Sequence, residues 1–215
     1  MEYAKLGNTD IEVSKLCIGC MSFGKAGTMH DWTLDAQESE KVIKHALNLG
    51  INFFDTANCY SAGTSEEYLG QALKKNVARD KVVIASKVYF NESRLSKAAI
   101  EREIDGSLKR LGTDYLDLYI IHRFDFDTPI EETMEALDGL VKAGKVRAIG
   151  ASAMYGYQFY NMQFAAKERG LTPFATMENH YNLLYREDER ELIPICKQMN
   201  VALMPYSPLA AGHLS

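Results

Sequence analysis

No stretch of this 215-residue chain approaches the ~18 consecutive apolar residues that a membrane span needs. The opening Met1-Glu2-Tyr3-Ala4-Lys5-Leu6-Gly7 also lacks the apolar h-region of a secretory signal, so a cytoplasmic protein with no membrane partner is expected. Lys and Arg build no run or stripe and the net charge is a modest -5, which argues against nucleic acid as a partner. Cysteine is sparse, with only Cys17, Cys20, Cys59 and Cys196. Cys17 and Cys20 form one C-x-x-C, but in a strand-like run an i, i+3 pair points to opposite faces, and no second pair or nearby His completes a metal set. Free thiols, buried or partly buried, and no metal are therefore expected. Linkers and internal repeats are missing too. With 47% hydrophobic residues, residues 1–215 are long and apolar enough to bury a single core as a single domain.

What the chain does contain is alternation. Tyr3 to Leu6 and Ile11 to Val13 are β-prone and joined by the turn-rich Gly7-Asn8-Thr9-Asp10, which predicts a small hairpin able to plug one end of a barrel. Strands are then expected over Leu16–Gly19, Ile51–Phe54, Val82–Ser86, Tyr115–Ile121, Val146–Gly150, Phe174–Glu178 and Val201–Met204. Helices are expected between them over Asp35–Leu49, Ser65–Lys75, Ser96–Leu111, Pro129–Ala143, Gly156–Glu168 and Glu187–Met199. In the first helix Val42, Ile43, Ala46, Leu47 and Leu49 form an apolar stripe, closed by Gly50. Strict βα alternation predicts an all-parallel sheet. A closed TIM-type (β/α)8 barrel is preferred to an open sheet, because no G-x-G-x-x-G follows the first strand and polar residues end nearly every strand. Seven core strands are counted, whereas a complete barrel takes eight strands and about 250 residues. The chain is thus expected to stop early, as a fragment of a longer protein in preference to a truncated, inactive product.

The stretch Gly50 to Tyr60 is the centre of the functional reading. Its apolar strand stops at Asp55 and turns toward Tyr60; the next two strands end at Lys87 and His122. In a parallel barrel these carboxyl ends converge on one face, bringing carboxylate, ammonium, imidazole and phenol together. Tyr60 holds its proton at neutral pH and donates it to a developing alkoxide if a cation lowers its pKa. Lys87 is the cation, Asp55 holds it charged and oriented, and His122 steers a substrate carbonyl oxygen. Singly, each residue has an ordinary structural role; their position at one end of successive strands sets them apart.

Asp55-Thr56-Ala57-Asn58-Cys59-Tyr60, Ser86-Lys87, Asp114 to Leu118 leading to Ile121-His122-Arg123, and Gly144 to Gly150 resemble the aldo-keto reductase family over essentially the whole chain. Glu178 to Glu187 further resembles its aryl-alcohol dehydrogenase branch. The resemblance implies an eight-stranded α/β barrel and NADPH-dependent reduction of an aldehyde or ketone, with Asp55, Tyr60, Lys87 and His122 as the catalytic set. It also implies cofactor contacts at Gly19, Cys20, Met21, Asp55, Ser152 and Glu178. Tyr206 would stack on the nicotinamide, with amides near Ser207, Leu209 and Gly212 toward the pyrophosphate. Ala153 and Glu178 replace the Asn and Gln usual in relatives. An ionised Glu178 accepts from the carboxamide NH2 but cannot donate to its oxygen, and its charge favours the oxidised nicotinamide. Two other classes stay open: a Schiff-base lyase using Lys87, and a nucleotide-binding regulatory protein with little turnover. Trp32, Tyr89, Phe90, Phe124 and Phe126 are candidates either for the rim of a pocket for flat carbonyl compounds or for packing.

Overall fold

A computed structural model describes all residues from Met1 to Ser215. The chain opens with an antiparallel hairpin, β1 (Tyr3–Lys5) and β2 (Glu12–Ser14). There follow β3 (Cys17–Gly19), α1 (Ala36–Asn48), β4 (Phe53–Asp55), α2 (Thr64–Asn76), β5 (Val83–Val88), α3 (Lys97–Leu111), β6 (Leu116–Ile121) and α4 (Ile130–Lys142). β7 (Val146–Ser152), α5 (Gly156–Arg169), β8 (Thr176–Glu178), α6 (Leu192–Gln198) and β9 (Ala202–Leu203) complete the fold. β3 to β9 form one parallel seven-stranded sheet in sequence order. It is the curled wall of a (β/α)8 barrel, as the alternation predicts, and its outer strands β3 and β9 do not pair with each other.

Period two sorts the strand residues between two cores. Phe53, Val83, Ala85, Leu118, Ile120 and Ala148 point into the barrel, where Leu6, Ile11 and Val13 of the hairpin meet them and plug the floor. Phe54, Ile84, Tyr119, Ile121, Ile149 and Ala151 point outward and pack under the helices. Continuing the inward set by two residues reaches Asp55 on β4, Lys87 on β5 and His122 just past β6. The polar groups thus cap the upper end of an apolar barrel interior.

The helices start and stop where side chains satisfy their ends. The Asp35 carboxylate accepts from the amides of Gln37 and Glu38, the Ser96 hydroxyl accepts from Ala99, and Gly112 ends α3 at φ +66°. Two expectations need revision. The buried stripe of α1 is Ser39, Ile43 and Ala46, while Val42 and Leu49 are exposed, because five apolar residues spread over a wider arc than the sheet covers. The expected Glu187–Met199 helix is broken: a single 3-10 turn at Glu187–Glu189 precedes α6. Pro194 then falls in the first turn of α6, the place where its missing N–H costs least.

Candidate active site

Lys87 is fully buried beneath the site. Its ammonium bonds the Asp55 carboxylate and the Thr56 carbonyl at 3.1 Å, and Glu178 Oε2 lies 3.4 Å away. Burial opposes its charge, but Asp55, Glu178 and Tyr60 outweigh that and hold the pKa well above the ordinary lysine range. That charge state disfavours the free amine a Schiff base needs.

Two carboxyl groups face one ammonium. Burial raises both, and Lys87 opposes the rise in each, bonding Asp55 directly. Glu178 is pushed up to about 7 by burial and by Asp55, against the pull of Lys87. Sequence reasoning treated Glu178 as a cofactor contact carrying a fixed charge; its tie to Lys87 was missed, because only the curling of the sheet brings β8 opposite β5.

Tyr60 and His122 lie above this cluster. Their rings meet edge to face with centroids 5.6 Å apart, and Lys87 Nζ is 5.2 Å from the Tyr60 ring centre. Burial pushes the Tyr60 hydroxyl up, Lys87 pulls it down, and Asp55 and Glu178 push it up again; the net shift is upward. The expected lowering by Lys87 is present but outweighed, since the same burial that brings the cation near removes water from the phenolate. His122 is driven down to about 3 by burial, Lys87 and Arg123, and is a neutral imidazole at any working pH. Phe90 covers it edge-on at 5.0 Å.

The turn that carries Tyr60 is held in an unusual backbone shape. Ser61, Ala62 and Gly63 have φ of 47°, 54° and 89°, and two successive non-glycine residues at positive φ mark a stretch that its surroundings over-determine. Those surroundings were not foreseen. Glu66, in the first turn of α2, is fully buried. It accepts from Arg110 Nε and from the Ser86 hydroxyl, each at 2.5 Å. The Arg110 side chain lies directly under Gly63, where an added Cβ would meet its Cδ at 2.7 Å. The Tyr60 turn is thereby tied to Ser86, the neighbour of Lys87.

The residues expected to hold a cofactor occupy varied settings. Gly19 opens on a cleft of about 620 Å³ between β3 and β9, which also reaches Asp55, Glu178, Tyr206 and Ser207. Cys20 is fully buried and its amide donates to the Asp55 carbonyl at 2.8 Å, whereas Met21 is exposed. Ser152 is buried at the end of β7. Tyr206 stacks on His180, which stacks in turn on Tyr185, with centroid separations of 5.1 and 4.4 Å. Gly212 donates its amide to the Leu209 carbonyl, so it is not free for phosphate in this structure. Asp55 Oδ1 and Asn179 Oδ1 are buried without hydrogen-bond partners, and Glu178 Oε2 has only Lys87 Nζ, 3.4 Å away. Acceptors left over at the mouth of a cleft fit a ligand bearing amide N–H donors, as a nicotinamide carboxamide does.

A second cavity of about 530 Å³ lies on the other side of Tyr206. Tyr89, Phe90, Phe124 and Phe126 line it, as one of the two readings of these aromatics held, with Tyr155 and Arg123 among the rest. Trp32 does not reach it and stacks on His30 instead, centroids 4.5 Å apart. The four cysteines are free. Cys17 is exposed on the outer strand β3 rather than buried, since no strand covers that edge. No group of His, Cys, Asp or Glu is arranged to hold a metal ion.

A parallel α/β barrel wall with Asp, Lys, His and Tyr gathered at its carboxyl edge defines a class before any comparison is made. The sequence profile of the Aldo/keto reductase family matches residues 15–215, and the chain belongs to that family. Among its relatives are a Schizosaccharomyces pombe protein assigned as an aryl-alcohol dehydrogenase, 44% identical over 99% of this chain and 69% of its own length. The versiconal hemiacetal acetate reductase of Aspergillus parasiticus is 43% identical over 100% of this chain and 69% of its own length. An aldo-keto reductase of Fusarium vanettenii is 42% identical over 100% of this chain and 66% of its own length. The chain thus spans about two thirds of the length of these relatives. No helix is long and apolar enough to cross a membrane.

Proposed function

We propose that this chain carries the proton-transfer machinery of an NADPH-dependent reductase that converts an aldehyde or ketone to the alcohol. One observation carries the reading: Tyr60 and His122 meet edge to face directly above a fully buried, charged lysine. Ser152, Glu178, Tyr206 and the amides of Ser207 and Leu209 would hold NADPH, which would supply the hydride. A carbonyl oxygen lodged between Tyr60 and His122 accepts a hydrogen bond from the neutral imidazole, which orients it and excludes water. As the carbon gains hydride, the oxygen takes the Tyr60 proton. The resulting phenolate is stabilised by the Lys87 charge, which Asp55 holds in place. The raised pKa of Tyr60 suits this order, because the proton stays on the phenol until an alkoxide forms to receive it.

Full conversion of Tyr60 to Phe removes the donor and leaves the ring. NADPH consumption on an aromatic aldehyde should fall by roughly 10²- to 10⁴-fold, the usual contribution of a general acid, while the NADPH dissociation constant, read from fluorescence, stays within about twofold. Undiminished turnover in Tyr60→Phe would exclude the assigned role.

A further inference from the structure

Arg123 stands apart from the other arginines. Every other arginine in the chain makes an ion pair with a carboxylate within 4.0 Å. Arg123 makes none, and its only hydrogen bond runs from Nη1 to the carbonyl of the neighbouring His122 at 3.3 Å. It is half-buried, one residue from the imidazole that faces the reacting carbonyl, and it lines the 530 Å³ aromatic cavity. The one carboxylate in that cavity wall, Asp188, accepts from Asn179 Nδ2 at 2.9 Å instead. A guanidinium partly withdrawn from water and left without a carboxylate is costly unless something else supplies one, and its planar fork fits a carboxylate in two-point contact.

The volume suits a ring-sized ligand, and the aromatic side chains suit a flat one. Asp55 and Glu178 line the other cleft, and the cation between them, Lys87, is already paired with both, so within the aromatic cavity the unpaired guanidinium is the favourable place for a negatively charged substituent. Resting on the carbonyl-reduction reading above, we propose that Arg123 anchors an acidic substituent, and that the preferred substrates are aromatic aldehydes or ketones bearing a carboxylate or similar anion. The carbonyl then lies at Tyr60 and His122, the ring between the aromatic walls, and the anion on the guanidinium. The same guanidinium chemistry would also serve a phosphate of the cofactor, and the test separates the two.

The test compares benzaldehyde with 4-carboxybenzaldehyde in the wild type and Arg123→Met, taking the ratio of their kcat/KM values so that any effect on the neighbouring His122 cancels. The wild type should favour the acid by about tenfold or more, the scale of a charged hydrogen bond; in Arg123→Met the ratio should fall to about one, and Arg123→Lys should keep part of it. In parallel, calorimetry should find benzoate binding more tightly than benzamide to the wild type and equally to Arg123→Met. A wild-type ratio near one with benzaldehyde turned over, or benzoate binding no better than benzamide, overturns the anion site. An unchanged ratio in Arg123→Met, coupled with weakened NADPH binding, assigns the guanidinium to the cofactor and overturns it equally. Arg123-dependent benzoate binding with neither aldehyde reduced supports the anion site while sinking the reductase reading.

Discussion

Glu178 and Asp55 share one ammonium, and burial together with the Asp55 charge raises the pKa of Glu178. Because the folded pKa of Glu178 is about 7 against an ordinary 4.5, the folded chain binds that proton over a range in which the unfolded chain has released it. Its stabilising contribution is therefore fully present below about pH 4.5 and is lost as pH rises to about 7. Glu178→Gln removes this dependence. The melting temperature of the wild type should fall relative to Glu178→Gln by several degrees between pH 4.5 and 8, an upper bound of about 3 kcal/mol from the size of the shift. His122 shifts the other way, losing stability as pH falls from its ordinary 6.5 toward 3, but it is common to both proteins and cancels. A parallel difference at both pH values would refute the raised pKa of Glu178. On the proposed reading, Glu178 above about pH 7, where it is ionised, should also favour NADP+ over NADPH. Glu178→Gln should then raise the preference for NADPH, measured as the ratio of the two dissociation constants.

At the scale of elements, the site depends on how α2 and α3 are clamped to the sheet. Glu66 on α2 is fully buried and Arg110 on α3 is its only cation. Arg110→Met leaves a buried charge uncompensated and should destabilise by about 3–5 kcal/mol in urea unfolding, whereas Arg110→Met with Glu66→Leu should recover much of that loss. If the double variant is no more stable than the single, the damage is one of packing and not of charge. The same pair of helices touches at Gly70, where an added Cβ would sit 2.3 Å from the Leu111 carbonyl oxygen. Gly70→Ala should cost roughly 1–3 kcal/mol by forcing the helices apart, and should lower the melting temperature accordingly.

For the molecule as a whole, the sheet is graded in burial. β5 and β6 are buried throughout, each paired on both sides, while β3 and β9 lie at its edges with exposed residues. Amide exchange depends on local opening, which is cheapest where few contacts must break. Amides of Ala85 to Ile121 within β5 and β6 should exchange orders of magnitude more slowly than those of Ile18 and Leu203. Equal protection across all seven strands would mean that the cleft between β3 and β9 is closed in solution.

Much of this architecture was legible because simple periodicities produce it. Short apolar runs that alternate with helices and end in Asp55, Lys87 and His122 announce both a parallel barrel wall and the edge at which chemistry is expected to gather. Helix boundaries followed from Asp35, Ser96 and Gly50, whose effects reach only a few residues along the chain. Only the tertiary structure decided what depends on groups far apart in sequence. It placed Glu178 against Lys87 across the barrel, drove the Tyr60 pKa upward despite its cation, buried Glu66 against Arg110, and left Arg123 without a partner. A sequence states which charges exist and how they repeat along one element; pairing, burial and the resulting shifts depend on distances across the fold, which local periodicity does not encode.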